Sequence, residues 1–189
     1  MSTNPLQQYE KTIVLTGLMG AGKTSVGRKL AKLMELNFVD VDEEISKAAG
    51  CSIEDIFEKY GEVAFRDVEE RVMARLLNEK TQVLATGGGA IMNPRTLKLI
   101  KDNSVSIWLR ADLDILVRRT SMKEGRPLLK NKDNKKILKK LLDERSPIYA
   151  KADITVDSCE EGPDATAKSI ENALLMFSMK QLGSSNHEK

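Results

Sequence analysis

The sequence predicts an α/β domain with a parallel sheet covered on both faces, and three observations carry that expectation. Short β-branched apolar runs alternate with segments of helical periodicity along nearly the whole chain. Each apolar run is separated from the next by a helix, the arrangement that parallel strands require. The first run also ends in a glycine-rich turn that opens directly into a helix. At 189 residues, the chain is long enough to bury one real core, and it contains no internal repeat or second domain.

The elements follow in order. Residues 1–11 read as a flexible lead-in. "TIVLTG" is a buried strand, and from Lys23 the residues Val26, Leu30, Leu33 and Met34 mark an amphipathic helix. "NFVDVD" reads as a second strand running out into acids. From about Asp42 to Glu79 the periodicity is helical, broken near Gly50 and Gly61. "QVLATG" is the third strand; a helix then starts near Pro94, a residue suited to a first turn, and leads to the strand "SVSIWLR". Asp112 is placed to cap a helix running to about Thr120. Residues 121–134 hold Gly125 and Pro127 in a polar, basic segment too irregular for a packed element. A helix to about Ala150, the strand "DITVD" and a last amphipathic helix from about Asp164 to Met179 complete a domain spanning 12–181, with a polar tail at 182–189.

Composition excludes several functions. Thirty Lys plus Arg against 28 Asp plus Glu leave a net charge of +2, too balanced for a nucleic-acid binder, and 4% aromatic content argues against base stacking. No run approaches the roughly 20 apolar residues of a membrane span. "MSTNPLQQYEK" has no apolar stretch of the secretory type, so a cytoplasmic location is expected. Cys51 and Cys159 have neither CxxC spacing nor a histidine nearby and read as free thiols. The one histidine, His187, lies in the tail, which argues against histidine-dependent chemistry.

"GLMGAGKT", Gly17 to Thr24, matches G-x-x-x-x-G-K-[ST] in full, between a strand and a helix. The glycines let backbone N–H groups turn inward around phosphate oxygens, and the helix N-terminus adds a favourable dipole. Gly20, Ala21, Gly22, Lys23, Thr24 and Ser25 are therefore expected at a nucleotide. Lys23 would reach the β- and γ-phosphates and the Thr24 hydroxyl a Mg²⁺. ATP with Mg²⁺ is the implied pair.

A P-loop alone does not name the acceptor. Asp40 and Asp42 have period-two spacing, so at an extended strand end both carboxylates would face one side, one for a metal's water shell and one for a substrate hydroxyl. The alternative is an acidic helix start at the positive end of its dipole, which Glu43 and Glu44 suit. Arg66, with Glu69 and Glu70 three and four residues on, reads by itself as a surface helix ion pair. Arg126 is either part of a solvated basic loop or an arginine carried by a lid that closes on the nucleotide. Arg145, before Pro147, reads by itself as a complement to a helix C-terminal dipole. In "VLATGGGAIM" three glycines follow a strand, which implies that something approaches the main chain very closely.

Taken together, "GLMGAGKT", "VDVDEEI", "FEKYGEVAFRDVE", "VLATGGGAI", "RRT…GRPLL" and "LLDERSPIYAKAD" resemble shikimate kinase in content and order, from about Ile13 to Asp157. The resemblance implies a P-loop three-layer sandwich of the nucleoside-monophosphate kinase type, with a five-stranded parallel sheet and a lid at about 121–134. It also implies ATP-dependent phosphorylation of the 3-hydroxyl of shikimate, on the route to chorismate and the aromatic amino acids, by a monomer without nucleic-acid or membrane partners. By position, Asp42 resembles the residue holding the substrate hydroxyls and Asp40 its metal-shell partner. Arg66 and Arg145 resemble the pair gripping the substrate carboxylate, with Glu69 orienting Arg66. Arg126 resembles the lid arginine on the phosphates and Arg119 one that stacks near adenine. Gly87, Gly88 and Gly89 resemble the substrate loop, with Gly88 N–H on the ring and no side chain in the way. Near adenine the chain offers Pro163 but acids at Glu160 and Glu161, a departure from the family pattern. A gluconate kinase of the same fold shares the P-loop and needs a carboxylate clamp; the glycine triplet, "VDVDEEI" and Arg145 favour shikimate. A non-catalytic nucleotide-binding module would be expected to have lost Lys23, Asp42 or Arg126, and all three are present.

Overall fold

The structure, a computed structural model, describes residues 11–121, 133–158 and 161–185. Five strands, β1 (Thr12–Thr16), β2 (Asn37–Asp40), β3 (Gln82–Ala85), β4 (Ser104–Arg110) and β5 (Ile154–Asp157), form one sheet in the order β2-β3-β1-β4-β5. All four pairings are parallel. Ile13, Val14 and Leu15 are fully buried at its centre, with Val83, Leu84 and Ile107. Such continuous apolar strands are what a sheet covered on both faces demands.

Among the described residues seven α-helices surround the sheet: α1 (Lys23–Met34), α2 (Val41–Ala49), α3 (Ile53–Leu77), α4 (Pro94–Asn103), α5 (Leu113–Ser121), α6 (Asn134–Tyr149) and α7 (Pro163–Ser185). Helix α1 lies so close to the sheet that a Cβ on Gly27 would stand 2.5 Å from the Phe38 ring and 3.2 Å from Leu15. Helix α7 packs beside it. On the opposite face Tyr149 of α6 stacks on Trp108 of β4, ring centroids 5.9 Å apart. A reciprocal Ser52–Asp55 capping box starts α3. Gly61, at φ 79 and ψ 177, breaks α3 where the glycine suggested a break; a residue with a Cβ would be strained there.

Four expectations are corrected. The second strand stops at Asp40, because the Asp40 carboxylate accepts from the Asp42 N–H at 3.1 Å and caps α2. Asp42 is therefore in a first helical turn rather than on an extended strand. Leu33 is 37% exposed; the inward face of α1 is Val26, Gly27, Leu30, Ala31 and Met34. Helix α6 continues through Pro147 to Tyr149, so Arg145 is inside the helix and not at its end. Helix α7 runs to Ser185, beyond Met179.

Chain order reverses at β1, with β3 on one side and β4 on the other. A crevice opens outside the carboxyl ends of parallel strands at such a switch point, where ligands bind. The P-loop follows β1, Asp40 ends β2, the glycine triplet follows β3, and Ser158 follows β5. All of them therefore meet at that edge.

Candidate active site

The crevice is a cavity of about 680 Å³, within the range that takes cofactor-sized ligands. Gly20, Gly22, Lys23, Thr24 and Ser25 line one part of it; Asp40, Asp42, Gly87 and Gly88 line another; Arg119 and Pro163 close the far end. Residues expected at a nucleotide and residues expected at an acceptor thus share one chamber.

At the P-loop, Gly22 caps α1 in the left-handed region, φ 96, turning the chain so that the helix starts at Lys23. No acidic side chain occupies the first turn of α1, leaving the positive end of its dipole to a ligand anion. Lys23 Nζ donates to the carbonyls of Gly17 (2.7 Å) and Leu18 (3.1 Å), holding the ammonium inside the loop. The Thr24 hydroxyl donates to Asp40 Oδ2 at 2.8 Å. Asp40 consequently does two jobs, with Oδ1 capping α2 and Oδ2 facing the P-loop. Among the described residues no group of three or more Asp, Glu, His or Cys is placed to hold a metal. An all-oxygen pair such as Thr24 and Asp40 fits Mg²⁺ held mainly by phosphates and water, the usual protein contribution for this ion.

Asp42 is the central carboxylate. Burial, and after it the Asp40 charge, pushes its pKa above the ordinary carboxylate value, while Lys23 and Arg66 pull the other way. Arg66 donates from Nη1 to Glu69 Oε2 at 2.7 Å and from Nη2 to Glu62 Oε1 at 3.1 Å. The Glu69 side chain is 1% exposed, and its Oε1 is buried without a hydrogen-bond partner. Burial raises the Glu69 pKa in spite of Arg66. Glu70, the other acid in that spacing, instead accepts from Asn93 Nδ2 at 3.1 Å. It ties the turn after the glycine triplet to α3.

The triplet is shaped by crowding. None of Gly87, Gly88 and Gly89 has a positive φ. A Cβ on Gly87 would stand 2.9 Å from Asp42 Oδ1, and one on Gly89 would stand 2.5 Å from Arg66 Nη2. At Gly88 it would meet the P-loop backbone, 3.4 Å from Gly17 O. What comes close to this main chain in the structure is the protein's own machinery, so Asp42, Arg66 and the P-loop backbone crowd these positions before any ligand is considered. The Gly88 carbonyl accepts from Arg145 Nη1 at 3.0 Å and from the Tyr149 hydroxyl. Burial pushes the Tyr149 pKa up to about 12, so the phenol stays a donor.

The sequence-read residues therefore converge, with qualifications. Arg66, Gly89 and Arg145 stand behind the cavity wall at the triplet and do not line it. Arg119 Nη1 donates to Ser158 at 2.8 Å and lies 3.5 Å from the Gly20 and Ala21 carbonyls. It buttresses the P-loop as well as lining the cavity. Arg126 and Glu160 lie outside the described residues. Sequence reasoning missed Tyr149, Ser158 and Thr86. The Thr86 hydroxyl and N–H both donate to the Leu15 carbonyl, fixing the triplet against the P-loop strand. Tyr149 sat in the motif "LLDERSPIYAKAD", but nothing in its spacing marks a phenol that reaches across to Gly88.

A switch-point crevice holding a P-loop beside a half-buried carboxylate and an arginine-flanked loop defines a small-molecule phosphotransferase of the P-loop class. A sequence model described as shikimate kinase matches residues 19–175. The chain is 50% identical over 167 residues to a shikimate kinase of Paramagnetospirillum magneticum, covering 88% of this chain and 86% of that one. It is 51% identical over 164 residues to a shikimate kinase of Caulobacter vibrioides, covering 87% and 82%. A solved shikimate kinase from Acinetobacter baumannii, in complex with shikimate, superposes with a TM-score of 0.83 at 37% identity, covering 98% of this chain and all of that one. The chain belongs to the shikimate kinase family.

Proposed function

We propose that this chain transfers the γ-phosphoryl group of ATP to the 3-hydroxyl of shikimate, giving shikimate 3-phosphate and ADP on the route to chorismate and the aromatic amino acids. The observation that carries the reading is the placing of the glycine triplet. It packs against Asp42, Arg66, Arg145 and the P-loop at once, so one loop couples acceptor binding to the nucleotide.

In this reading the P-loop from Gly20 to Ser25 cradles the phosphates, and Lys23 leaves its carbonyl partners to meet them. Thr24 and Asp40 would hold Mg²⁺, which would supply neutralisation of the phosphate charge. Asp42 accepts a hydrogen bond from the 3-hydroxyl. A loose transition state needs little base assistance, but a raised pKa suits Asp42 to take the proton as transfer completes. Arg66 and Arg145 grip the substrate carboxylate, their planar forks matching it better than an ammonium would. Glu69 fixes Arg66, and Gly88 N–H meets the ring. Arg119 and Pro163 border the adenine, and Arg126, from the lid at about 121–134, closes over the phosphates. The chain works as a single domain from 12 to 181, monomeric and cytoplasmic. Among the described residues no helix is long and apolar enough to cross a membrane.

The test is ADP release by the purified protein with MgATP and, in parallel, shikimate, quinate, gluconate or AMP. Release that depends on shikimate is expected. Release with gluconate and none with shikimate would overturn the acceptor, and nucleotide binding without release for any acceptor would overturn the kinase.

A further inference from the structure

A second cavity, of about 250 Å³, lies on the far face of the sheet, between β1, β4, α4 and the end of α6. Its walls are apolar, from Ile91, Leu97, Ile100, Ile148 and Ala152. Its polar contributions are the hydroxyl residues Thr16 and Ser106 and two lysines, Lys101 and Lys151, whose side chains are exposed. No carboxylate lines it. Of the acids next to these lysines, Asp102 pairs with Lys98 at 2.6 Å, and Asp153, outside the lining, accepts from the N–H and hydroxyl of the lining residue Ser106 at 2.8 and 2.6 Å. Among the described residues neither Lys101 nor Lys151 has an ion-pair partner.

We propose that this cavity is an effector site for a small, flat, singly anionic carboxylate: one apolar ring against the isoleucines and a carboxylate held by Lys101 and Lys151. Size and charge both select this class. A cavity of about 150 Å³ already takes a benzene ring, so this one holds one substituted ring and excludes a nucleotide. The apolar walls disfavour a polyhydroxylated ring such as the kinase substrate, whose hydroxyls would lose their water. With ammonium groups and no lining acid, a zwitterion has no partner for its positive end.

The neighbours of the cavity tie it to the active site. Thr16 directly precedes the P-loop, Ile91 is separated from the glycine triplet by Ala90 alone, and Ile148 adjoins Tyr149, whose hydroxyl donates to Gly88. A ligand bracing these residues changes how firmly the triplet is held, and coupling between two sites is reciprocal.

Benzoate is the probe and benzyl alcohol its uncharged control, followed by calorimetry and by fluorescence of Trp108, the only tryptophan, which stacks on Tyr149. Saturating shikimate is present in the binding experiments, to keep benzoate off the arginine clamp. Expected are saturable benzoate binding, benzyl alcohol at least about tenfold weaker, and a roughly tenfold loss in the double variant Lys101→Gln/Lys151→Gln, the worth of one charge-assisted hydrogen bond. Ala152→Phe, which fills the cavity, abolishes binding. If that variant does not fold, the surface lysine pair carries the test alone. ADP-release assays should show benzoate shifting the KM for shikimate at least about twofold in the wild type and not in the lysine variant. Equal binding of benzyl alcohol, no saturable binding in the presence of shikimate, or binding without a KM shift would each overturn the proposal.

Discussion

Gly89→Ala isolates the crowding that shapes the glycine loop. Gly89 has φ −105 and ψ −6, a conformation alanine adopts without strain, so the substitution does not perturb the backbone. Its methyl carbon would instead stand 2.5 Å from Arg66 Nη2 and 3.1 Å from Arg66 Cζ. To restore ordinary contact the guanidinium must retreat by roughly 0.9 Å. A displacement of about 1 Å in a positioning group can cost on the order of a hundredfold, and a lost charge-assisted hydrogen bond about 1.5–3 kcal/mol. The expected result is a KM for shikimate raised roughly 10- to 100-fold, with kcat and the KM for ATP little changed because Lys23, Thr24 and Asp42 stay in place. Retreat also loosens the 2.7 Å pair with buried Glu69, so melting should fall by a few degrees, about 1 kcal/mol. Steady-state ADP release against shikimate concentration, with a thermal melt, reads all of this. An unchanged KM for shikimate would refute the assignment of Arg66 to the acceptor, and so would equal losses for shikimate and ATP.

Three further outcomes follow from the same geometry. Arg66→Lys keeps the charge but not the planar fork that spans Glu69 and Glu62, so the KM for shikimate should rise about tenfold or more; a wild-type KM would leave only a Coulombic role. Asp42→Asn should lower turnover and also stabilise the fold in a pH-dependent way. Burial raises the Asp42 pKa above 3.8, so the folded state holds a proton that the unfolded chain has released, and stability declines as pH rises through that interval. The variant should therefore melt above wild type near neutral pH, with the gap closing below about pH 4; a gap that widened on acidification would reverse the sign. Gly27→Ala forces a methyl against the Phe38 ring at 2.5 Å and should cost about 1–3 kcal/mol of stability while leaving both KM values intact, as denaturant titration beside kinetics would show.

The strands, the P-loop and the start of α4 were legible because each rests on local chemistry: β-branched runs, a glycine signature, and Pro94 at a first turn. Asp42 lines the crevice, but not on the strand end that its spacing suggested. Alternation in "VDVD" reads as strand, yet the Asp40 carboxylate can bond the N–H two residues on, and that capping bond starts a helix instead. Arg66 shows the opposite limit. Its spacing to Glu69 describes an ordinary surface pair, and only tertiary packing reveals that Glu69 is buried with one oxygen unpartnered.

The glycine triplet shows why such a site resists reading from sequence. Glycine is usually explained by the backbone angles it permits, yet Gly87, Gly88 and Gly89 are all at angles open to other residues. Their constraint comes from three directions in space: Asp42 on α2, the P-loop after β1 and Arg66 on α3. Those elements are far apart in the chain, so no local pattern encodes their meeting. The same meeting ties the loop energetically to several elements at once. Thr86 fixes its start to Leu15, Tyr149 and Arg145 hold its middle at the Gly88 carbonyl, and Glu70 fixes the turn beyond it through Asn93. With no side chains of its own to adjust, the loop transmits any shift in one contact to the others, which is why Gly89→Ala and occupation of the cavity behind Ile91 should register in the same quantity, the KM for shikimate.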